Sequence, residues 1–298
     1  MKKTAIIMAV LAVTGLMSSC NRCNKDPKPV ETDTVAEDTV VAEPEIQYDT
    51  LRYSQNPKKA PSLTLNYSIV LPIEDEAIPV TKVLRSNIIT DILGEEYAKM
   101  EANEAFKKYI KNEQDAFENS INDIREGEDA ELLEEDAYMY KFDRLISTTI
   151  KTTENLMVVD ELFSSYDGGA HGYGGDLFYN YDLKSGKRLK LEDVMMLDKG
   201  AQSQLSELLY KKLMELSESE GQYNGMEIWD SSATDNYYIE NGEMVFVYLP
   251  YAVAAYCFGV VYVPLKYKDI ETLLIPGTAV EKELSDYVMN LAEKNSRK

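Results

Sequence analysis

Residues 156–183 have the sequence LMVVDELFSSY, then DGGAHGYGGD, then LFYNYDL. The first and last of these segments, residues 156–166 and 177–183, are rich in Val, Leu, Phe and Tyr. Both are predicted to be strands, because such side chains suit a half-buried, pleated surface. The segment between them, 167–176, holds five of the chain's 15 glycines and is predicted to be the loop that joins them.

The rest of the chain alternates between strand patterns and helix patterns. Strand patterns cover 62–69, 138–151, 237–249 (with a tight turn at Asn241-Gly242) and 258–265, and 273–275 is predicted to end the sheet. Apolar residues at helical spacing predict helices over 79–94, within the acidic segment 91–136, and over 201–218 and 278–294. Such runs indicate an α+β domain over 61–298, with helices packed on a mainly antiparallel sheet. The domain has an N-terminal part, 61–166, and a C-terminal part, 167–298.

The first twenty residues predict where the protein works. Lys2 and Lys3 precede an apolar run over 5–16, which is too short to span a bilayer and is typical of a secretory signal peptide. Cys20 follows a run of small residues and makes the segment resemble a bacterial lipoprotein signal, in which the cysteine is lipidated. We therefore expect a signal peptide over 1–19, lipid on Cys20, and a location in the cell envelope. The alternative is an ordinary signal peptide with a nearby cysteine.

Residues 20–60 are predicted to be a disordered acidic tether. The segment is rich in Asp, Glu, Thr and Pro, and it has no aromatic residue before Tyr48. Such a composition does not bury enough apolar surface to fold. The tether is expected to hold the folded domain away from the membrane.

The charge of the chain limits its partners. The formal net charge is −21, and it becomes −23 when residues 1–19, with two lysines and no acid, are removed. This excess of acid disfavours nucleic acid and favours a basic protein. Of the remaining cysteines, Cys257 is predicted to be a buried small apolar residue, and a bond between it and Cys23 stays open.

His171, the single histidine of the chain, lies in the glycine-rich loop. With Asp167 and Ser164 or Ser165, it offers the residue types of a hydrolase triad, and the glycines offer backbone N–H groups. The structural alternative is a histidine whose ring bonds the backbone of a glycine-shaped turn. No spacing of ligands predicts a metal site or a cofactor.

A second candidate site is the aromatic cluster around Pro250. Tyrosine combines a large contact area with a polar tip, which suits the recognition of a sugar or a protein. The alternative is that these rings pack against the sheet. The predicted ligand-binding residues of the two candidate sites are His171, Tyr173, Tyr248, Tyr251 and Tyr256.

Two blocks of sequence resemble a known family. The first block comprises residues 164–171 and 179–193. The second comprises residues 236–242, 248–251 and 263–265 together with Tyr256 and Gly259, and it ends at Leu273 and Leu274. Over about 62–276 they are similar to the extracytoplasmic domain of RsiV-type anti-sigma factors, which also occurs attached to PdaC-type peptidoglycan deacetylases and in envelope lipoproteins. The resemblance implies a receptor that binds lysozyme, without catalysis of its own. The spanning helix, the sigma-binding part and the deacetylase part of those relatives have no counterpart in this sequence.

These observations predict a membrane-anchored envelope lipoprotein that binds an extracytoplasmic ligand. The ligand is a lysozyme-like basic protein or a peptidoglycan glycan. The alternatives are an envelope hydrolase that uses His171 and a passive accessory lipoprotein.

Overall fold

The computed structural model of the chain describes residues 45–127, 130–135 and 137–296. The predicted signal peptide, Cys20, Cys23 and residues 20–44 of the predicted tether lie outside the described residues. The fold is α+β, as predicted, and its strands form two sheets that are mostly antiparallel.

The first sheet has five strands in chain order: β1 (Tyr48–Gln55), β2 (Ser62–Pro72), β3 (Lys141–Thr152), β4 (Leu156–Tyr166) and β5 (Tyr173–Asp182). β1 pairs antiparallel with β2, and β3, β4 and β5 form successive antiparallel pairs. β2 and β3 are parallel, and the chain crosses between them through helices. Parallel neighbours need such a long crossover, which explains why the helical segment lies between them.

The predicted tether is wrong over 48–55, because these residues form β1. Leu51 is buried and lies opposite Ile69 of β2, and Tyr53 packs against the same core. β1 is an edge strand, so its other residues are mostly exposed and polar. Composition averaged over the whole acidic segment therefore concealed a short strand with few buried residues.

Three helices between β2 and β3 cover one face of this sheet: α1 (Val80–Leu93), α2 (Ala102–Glu126) and α3 (Ala130–Glu135). Every second residue of β2 is buried, as an alternating strand requires. The first core joins these residues to apolar side chains of α1 and α2, among them Leu65, Ile69, Leu84, Ile88, Ala105 and Phe106. α2 begins at the cap residue Glu101, whose carboxylate accepts backbone N–H bonds from Asn103 and Glu104.

The second sheet contains β6 (Tyr237–Glu240), β7 (Glu243–Tyr248) and β8 (Val261–Lys266), all antiparallel. Asn241 and Gly242 have φ values of 52° and 75° and form the predicted two-residue turn between β6 and β7. The helices of this part are α4 (Leu191–Val194), α5 (Lys199–Glu218), α6 (Tyr267–Ile270) and α7 (Ala279–Ser296). α5 and α7 close the second core with Leu205, Leu209, Leu213, Val280 and Leu284.

Two further predictions in this part are wrong. Residues 273–275 do not form a strand; Leu274 makes a single bridge with Met195 and fills the second core. Cys257 is exposed rather than buried, because residues 256–258 form a tight helical turn before β8 begins at Val261. The apolar run therefore begins in a turn, and the alternating burial of a strand starts only at Val261.

Side-chain amides join the two sheets. Asn180 of β5 is fully buried and donates to the carbonyl oxygen of Tyr237 at 2.6 Å. Asn236 accepts from the backbone N–H of Phe178 at 2.8 Å and donates to the carbonyl oxygen of Asp176 at 2.9 Å. The Asn236 bonds satisfy backbone groups at the edge of β5, where the ladder of the first sheet ends, and the Asn180 bond satisfies a carbonyl group of β6.

Over the residues that the structure describes, none of the helices has the length and the apolar character that crossing a bilayer requires.

Replacing Asn236 by Ala is expected to destabilise the protein by about 2 kcal/mol, because it removes two hydrogen bonds and leaves two backbone groups of β5 without a partner. Urea unfolding of the variant measures this change. Asn122→Ala on the exposed face of α2 is the control, and it is expected to change stability by less than about 0.5 kcal/mol. Equal stability of the two variants would show that the hydrogen bonds of Asn236 do not stabilise the protein.

Candidate functional site

The structure brings the two predicted candidate sites together. His171 lies in the loop between β4 and β5, and its ring stacks on Tyr256 with ring centroids 4.0 Å apart and planes 21° apart. Tyr251 lies next to both rings, with its centroid 6.4 Å from that of His171 and 5.4 Å from that of Tyr256. We call His171, Tyr251 and Tyr256 the aromatic surface.

Hydrogen bonds fix the orientation of the His171 ring. Its Nδ1 lies 2.9 Å from the carbonyl oxygen of Gly172, which only accepts, so Nδ1 carries the proton. Nε2 is then an acceptor for the Tyr251 hydroxyl at 3.4 Å. The Tyr256 hydroxyl donates to the same Gly172 carbonyl at 2.9 Å. The ring therefore bonds the backbone of a glycine-rich turn, as the structural alternative predicted.

Tyr251 is held in an unfavourable backbone conformation. Its φ is 72°, in the left-handed region that L side chains rarely adopt, and it follows Pro250 directly. The side chain is 52% exposed. Strain that leaves a large aromatic ring in solvent is typical of a functional position.

Glycine lets the loop segment 249–260 approach β5 closely. A Cβ atom on buried Gly175 would lie 2.6 Å from Cδ2 of Leu249 and 3.0 Å from Cγ2 of Val260. A Cβ atom on Gly174 would lie 2.5 Å from the carbonyl oxygen of Phe163. The glycines at the start of β5 thus permit the packing that places the aromatic surface, whereas β5 was predicted to begin only at residue 177.

The other two predicted ligand-binding tyrosines have different surroundings. Tyr173 is exposed and packs on Phe163, with centroids 6.0 Å apart. Tyr248 is only 4% exposed, lies in the second core, and donates its hydroxyl to the carbonyl oxygen of Ser232. The ring of Tyr248 therefore packs against the sheet, which is the structural alternative to ligand binding.

The residues of the predicted triad do not meet. Asp167 pairs with Arg144, which also contacts Glu113 at 3.3 Å, and the Ser165 hydroxyl donates to the carbonyl oxygen of Tyr173. In the described part of the chain, neither ring nitrogen of His171 contacts a carboxylate or a serine hydroxyl. Nor do three His, Cys, Asp or Glu side chains gather there in a way that would hold a metal ion.

Two carboxylates that the sequence patterns did not predict as a site lie between α1 and the sheet. Glu161 of β4 is 4% exposed and accepts a 2.6 Å hydrogen bond from the Tyr179 hydroxyl. Asp91 of α1 accepts a 2.6 Å bond from the Tyr181 hydroxyl. The signal was present in the sequence: Asp160 and Glu161 are adjacent within the apolar strand β4, and alternation forces one of them onto the core face.

Burial raises the pKa of Glu161 to about 7, and the nearby charge of Asp91 adds to the rise, while the hydrogen bond from Tyr179 opposes it. Burial likewise raises the pKa of Asp91, against the lowering effects of Tyr181 and Arg188. A carboxyl group that titrates near neutral pH inside a cleft is typical of a functional site.

Comparison with known proteins finds a family model that matches part of the chain. Residues 192–268 match the DUF3298 family, described as "Protein of unknown function". This DUF3298 segment runs from α4 to α6 and contains Tyr251 and Tyr256, but not His171. The search of curated proteins found no match.

Two solved structures of DUF3298 proteins share the fold. One, from Bacteroides fragilis, has 21% sequence identity and a TM-score of 0.69, with 81% of this chain and 97% of that chain covered. The other, from Pseudomonas aeruginosa, has 13% identity and a TM-score of 0.51, with 78% and 96% covered. The likeness extends well beyond the DUF3298 segment and includes both sheets in its coverage of the chain.

Replacing Glu161 by Gln is expected to raise the free energy of unfolding by roughly 2–3 kcal/mol at pH 8 and to leave it unchanged near pH 4. The pKa of Glu161 is higher in the folded protein than in the unfolded chain, so the unfolded chain releases this proton at a lower pH. Wild-type stability therefore falls as the pH rises from about 4.5 to about 7. Gln is neutral throughout and escapes this loss. Urea midpoints at both pH values measure the effect.

The matched control is Glu118→Gln, which changes an exposed acid on α2. A variant at Glu161 that gains no more stability at pH 8 than this control would contradict the assignment of a raised pKa.

Proposed function

We propose that this protein is a membrane-anchored lipoprotein of the cell envelope whose α+β domain captures a basic extracytoplasmic protein, such as a lysozyme, on the aromatic surface. The observation that carries the proposal is the cluster of His171, Tyr251 and Tyr256, in which Tyr251 is strained and exposed. The resemblance to RsiV-type receptor domains supports the same class of ligand.

The chemistry of the aromatic surface suits protein recognition. Large rings with polar tips dominate the binding energy of many interfaces, and they lose little conformational entropy when they are already fixed. Here the stacking on Tyr256 and the bond to Gly172 fix the His171 ring before a partner arrives.

Net charge supports a basic partner. The chain carries 52 acidic and 31 basic residues, and the loss of residues 1–19 makes the balance more negative. A field of this sign attracts a cationic protein and speeds its association at low salt. Lipid on Cys20 would then keep the captured partner at the membrane surface, where two or more acyl chains anchor stably.

A peptidoglycan glycan is the second candidate. The near-parallel rings of His171 and Tyr256 favour it, because a flat aromatic face accommodates the apolar face of a sugar ring. The hydrolase alternative receives no such support, because Asp167 is paired with Arg144 and the ring of His171 bonds a carbonyl and a phenol. The passive accessory alternative is the outcome in which neither ligand binds.

Tyr251→Ala is expected to weaken the binding of lysozyme at least tenfold, because it removes an exposed ring of the aromatic surface. Calorimetric titration at low salt, with lysozyme and separately with soluble peptidoglycan fragments, measures the loss and distinguishes the two ligands. Tyr210→Ala is the control, since Tyr210 is a tyrosine of α5 that is 49% exposed and lies outside the aromatic surface. Equal losses in the two variants, or no binding of either ligand, would reject the proposal.

Cys20→Ser is expected to move the protein from the membrane fraction to the soluble extracytoplasmic fraction, because serine offers no thiol for a thioether-linked lipid. Cell fractionation with immunoblotting measures the change, and Cys257→Ser serves as the control that keeps the membrane location. A Cys20→Ser protein that stays with the membrane would contradict the lipid anchor.

A further inference from the structure

A cleft of about 320 Å³ lies between the helices α1 and α2 and the face of the five-stranded sheet that they cover. It is distinct from the aromatic surface, and no residue of that surface lines it. Phenol rings and two carboxylates dominate its wall, which includes Tyr67, Asp91, Tyr109, Glu161, Phe163 and Tyr179.

Each carboxylate of the cleft has a phenol donor. Asp91 also forms an ion pair with Arg188, whereas no cation among the described residues pairs with Glu161. Among the interactions of the described residues, the Tyr179 hydroxyl is the hydrogen-bond partner of Glu161. Asp91 accepts from Tyr181, and its nearest charged partner, Nε of Arg188, is 3.7 Å away. The terminal nitrogens of Arg188 donate instead to backbone carbonyl oxygens of β5. A buried carboxylate without a countercharge is costly, and protonation of Glu161 is one relief.

Arg144 is the cation in the cleft wall, and its guanidinium is already engaged. It pairs with Asp167 and with Glu113, and it donates to the carbonyl oxygens of Asp143 and Tyr166. Arg144 therefore neutralises two other acids and Arg188 pairs with Asp91, so the charge of Glu161 is left to be balanced by something else.

Tyr67 supplies an independent sign of a missing ligand. Its side chain lines the cleft and is 3% exposed, and its hydroxyl has no hydrogen-bond partner within the described residues. Burial raises the pKa of this hydroxyl far above the neutral range, so it stays protonated and offers lone pairs as well as a proton. Buried polar groups in native proteins are nearly always paired.

We propose that this cleft binds an ammonium group. An ammonium carries three N–H donors and a positive charge, which match two carboxylates and the lone pairs of an unpaired phenol. The rings of Tyr67 and Tyr109 line the same space, and aromatic faces attract a desolvated cation. A calcium ion fits less well, because it takes about six to eight oxygen ligands. A neutral ligand would leave the negative charge unbalanced.

The ammonium group has two sources: a lysine side chain of a basic protein partner, or a small free amine. Both present the same chemistry to the cleft. The proposal does not depend on the aromatic surface, so the two are tested separately.

The test is calorimetric titration of the full chain at pH 8 with n-butylammonium chloride, which has the shape and charge of a lysine side chain. Saturable binding to the wild type and to the Glu118→Gln control is expected, with at least tenfold weaker binding to Glu161→Gln. 1-Butanol, the uncharged analogue, is expected not to bind. Equal binding of 1-butanol, no saturable binding of the amine, or an unchanged affinity in Glu161→Gln would overturn the proposal.

A second titration at pH 6 is expected to give weaker binding of the amine, because Glu161 then holds its own proton. The groups that face it are Tyr179 on β5, Tyr67 on β2, Arg144 on β3, Asp91 on α1, and Tyr109 and Glu113 on α2. The phenols and the guanidinium keep their protonation states over this range, and Asp91 is paired with Arg188, so we assign the change to Glu161. Binding that is equally strong at pH 6 and pH 8 would contradict the role of its carboxylate.

Lysozyme then distinguishes the sources. If Glu161→Gln weakens lysozyme binding as Tyr251→Ala does, the ammonium comes from the protein partner. If Glu161→Gln weakens only n-butylammonium binding, the source is a small amine. Either result supports the cleft, and a failure of lysozyme to bind the wild type would count against the aromatic surface alone.

Discussion

The side-chain amides of Asn180 and Asn236 hold the structure together at the point where its two sheets meet. The first sheet ends at β5 and the second begins at β6, so the edge of β5 has backbone groups that no strand pairs. Asn236 satisfies two of them because its amide carries both a donor and an acceptor, and Asn180 of β5 donates across to the carbonyl oxygen of Tyr237 in β6. A continuous ladder in this place would force the second sheet into the plane of the first, whereas amide contacts let it form its own core.

β5 therefore serves both halves of the protein. Tyr181 belongs to the first core, while Phe178 on the opposite side packs on Tyr238 of β6, with ring centroids 4.3 Å apart. The alternation of a strand gives it two faces, one in the first core and the other turned towards the second sheet. The same strand contains Gly175, over which the segment 249–260 packs, and it supplies Tyr179 to the cleft that we propose binds an ammonium group. The aromatic surface and the cleft are both positioned by this one element.

The two candidate sites use different physical properties. The aromatic surface is exposed and its rings are oriented by stacking and by bonds to a single carbonyl group, that of Gly172. The cleft is a recess between the helices and the sheet, and its chemistry comes from carboxylates that burial has made weaker acids. A wide, low-selectivity contact suits the first site, while charge and size select the ligand in the second.

Local patterns in the sequence predicted β4 with its observed bounds, the helices α1 and α5 to within a few residues, and the turn at Asn241-Gly242. They succeeded because these elements have strong alternation, helical spacing or residues suited to a left-handed turn. They failed for β1, for residues 273–275 and for Cys257, where the neighbouring chain rather than the local pattern decides which residues are buried. In such segments the local sequence pattern does not show which side chains are buried.

The sequence by itself determined that His171 lies in a glycine-rich loop, that Tyr251 and Tyr256 follow a proline-containing turn, and that the domain is acidic and α+β. Only the tertiary structure decided that His171 stacks on Tyr256 and meets Tyr251, 80 residues further along the chain. It also decided that Asp167 belongs to Arg144 and that Glu161, rather than its neighbour, is the acid turned under the helices. The physical reason is that residue type and spacing fix local conformation, whereas the partner of a side chain depends on which distant segments pack beside it.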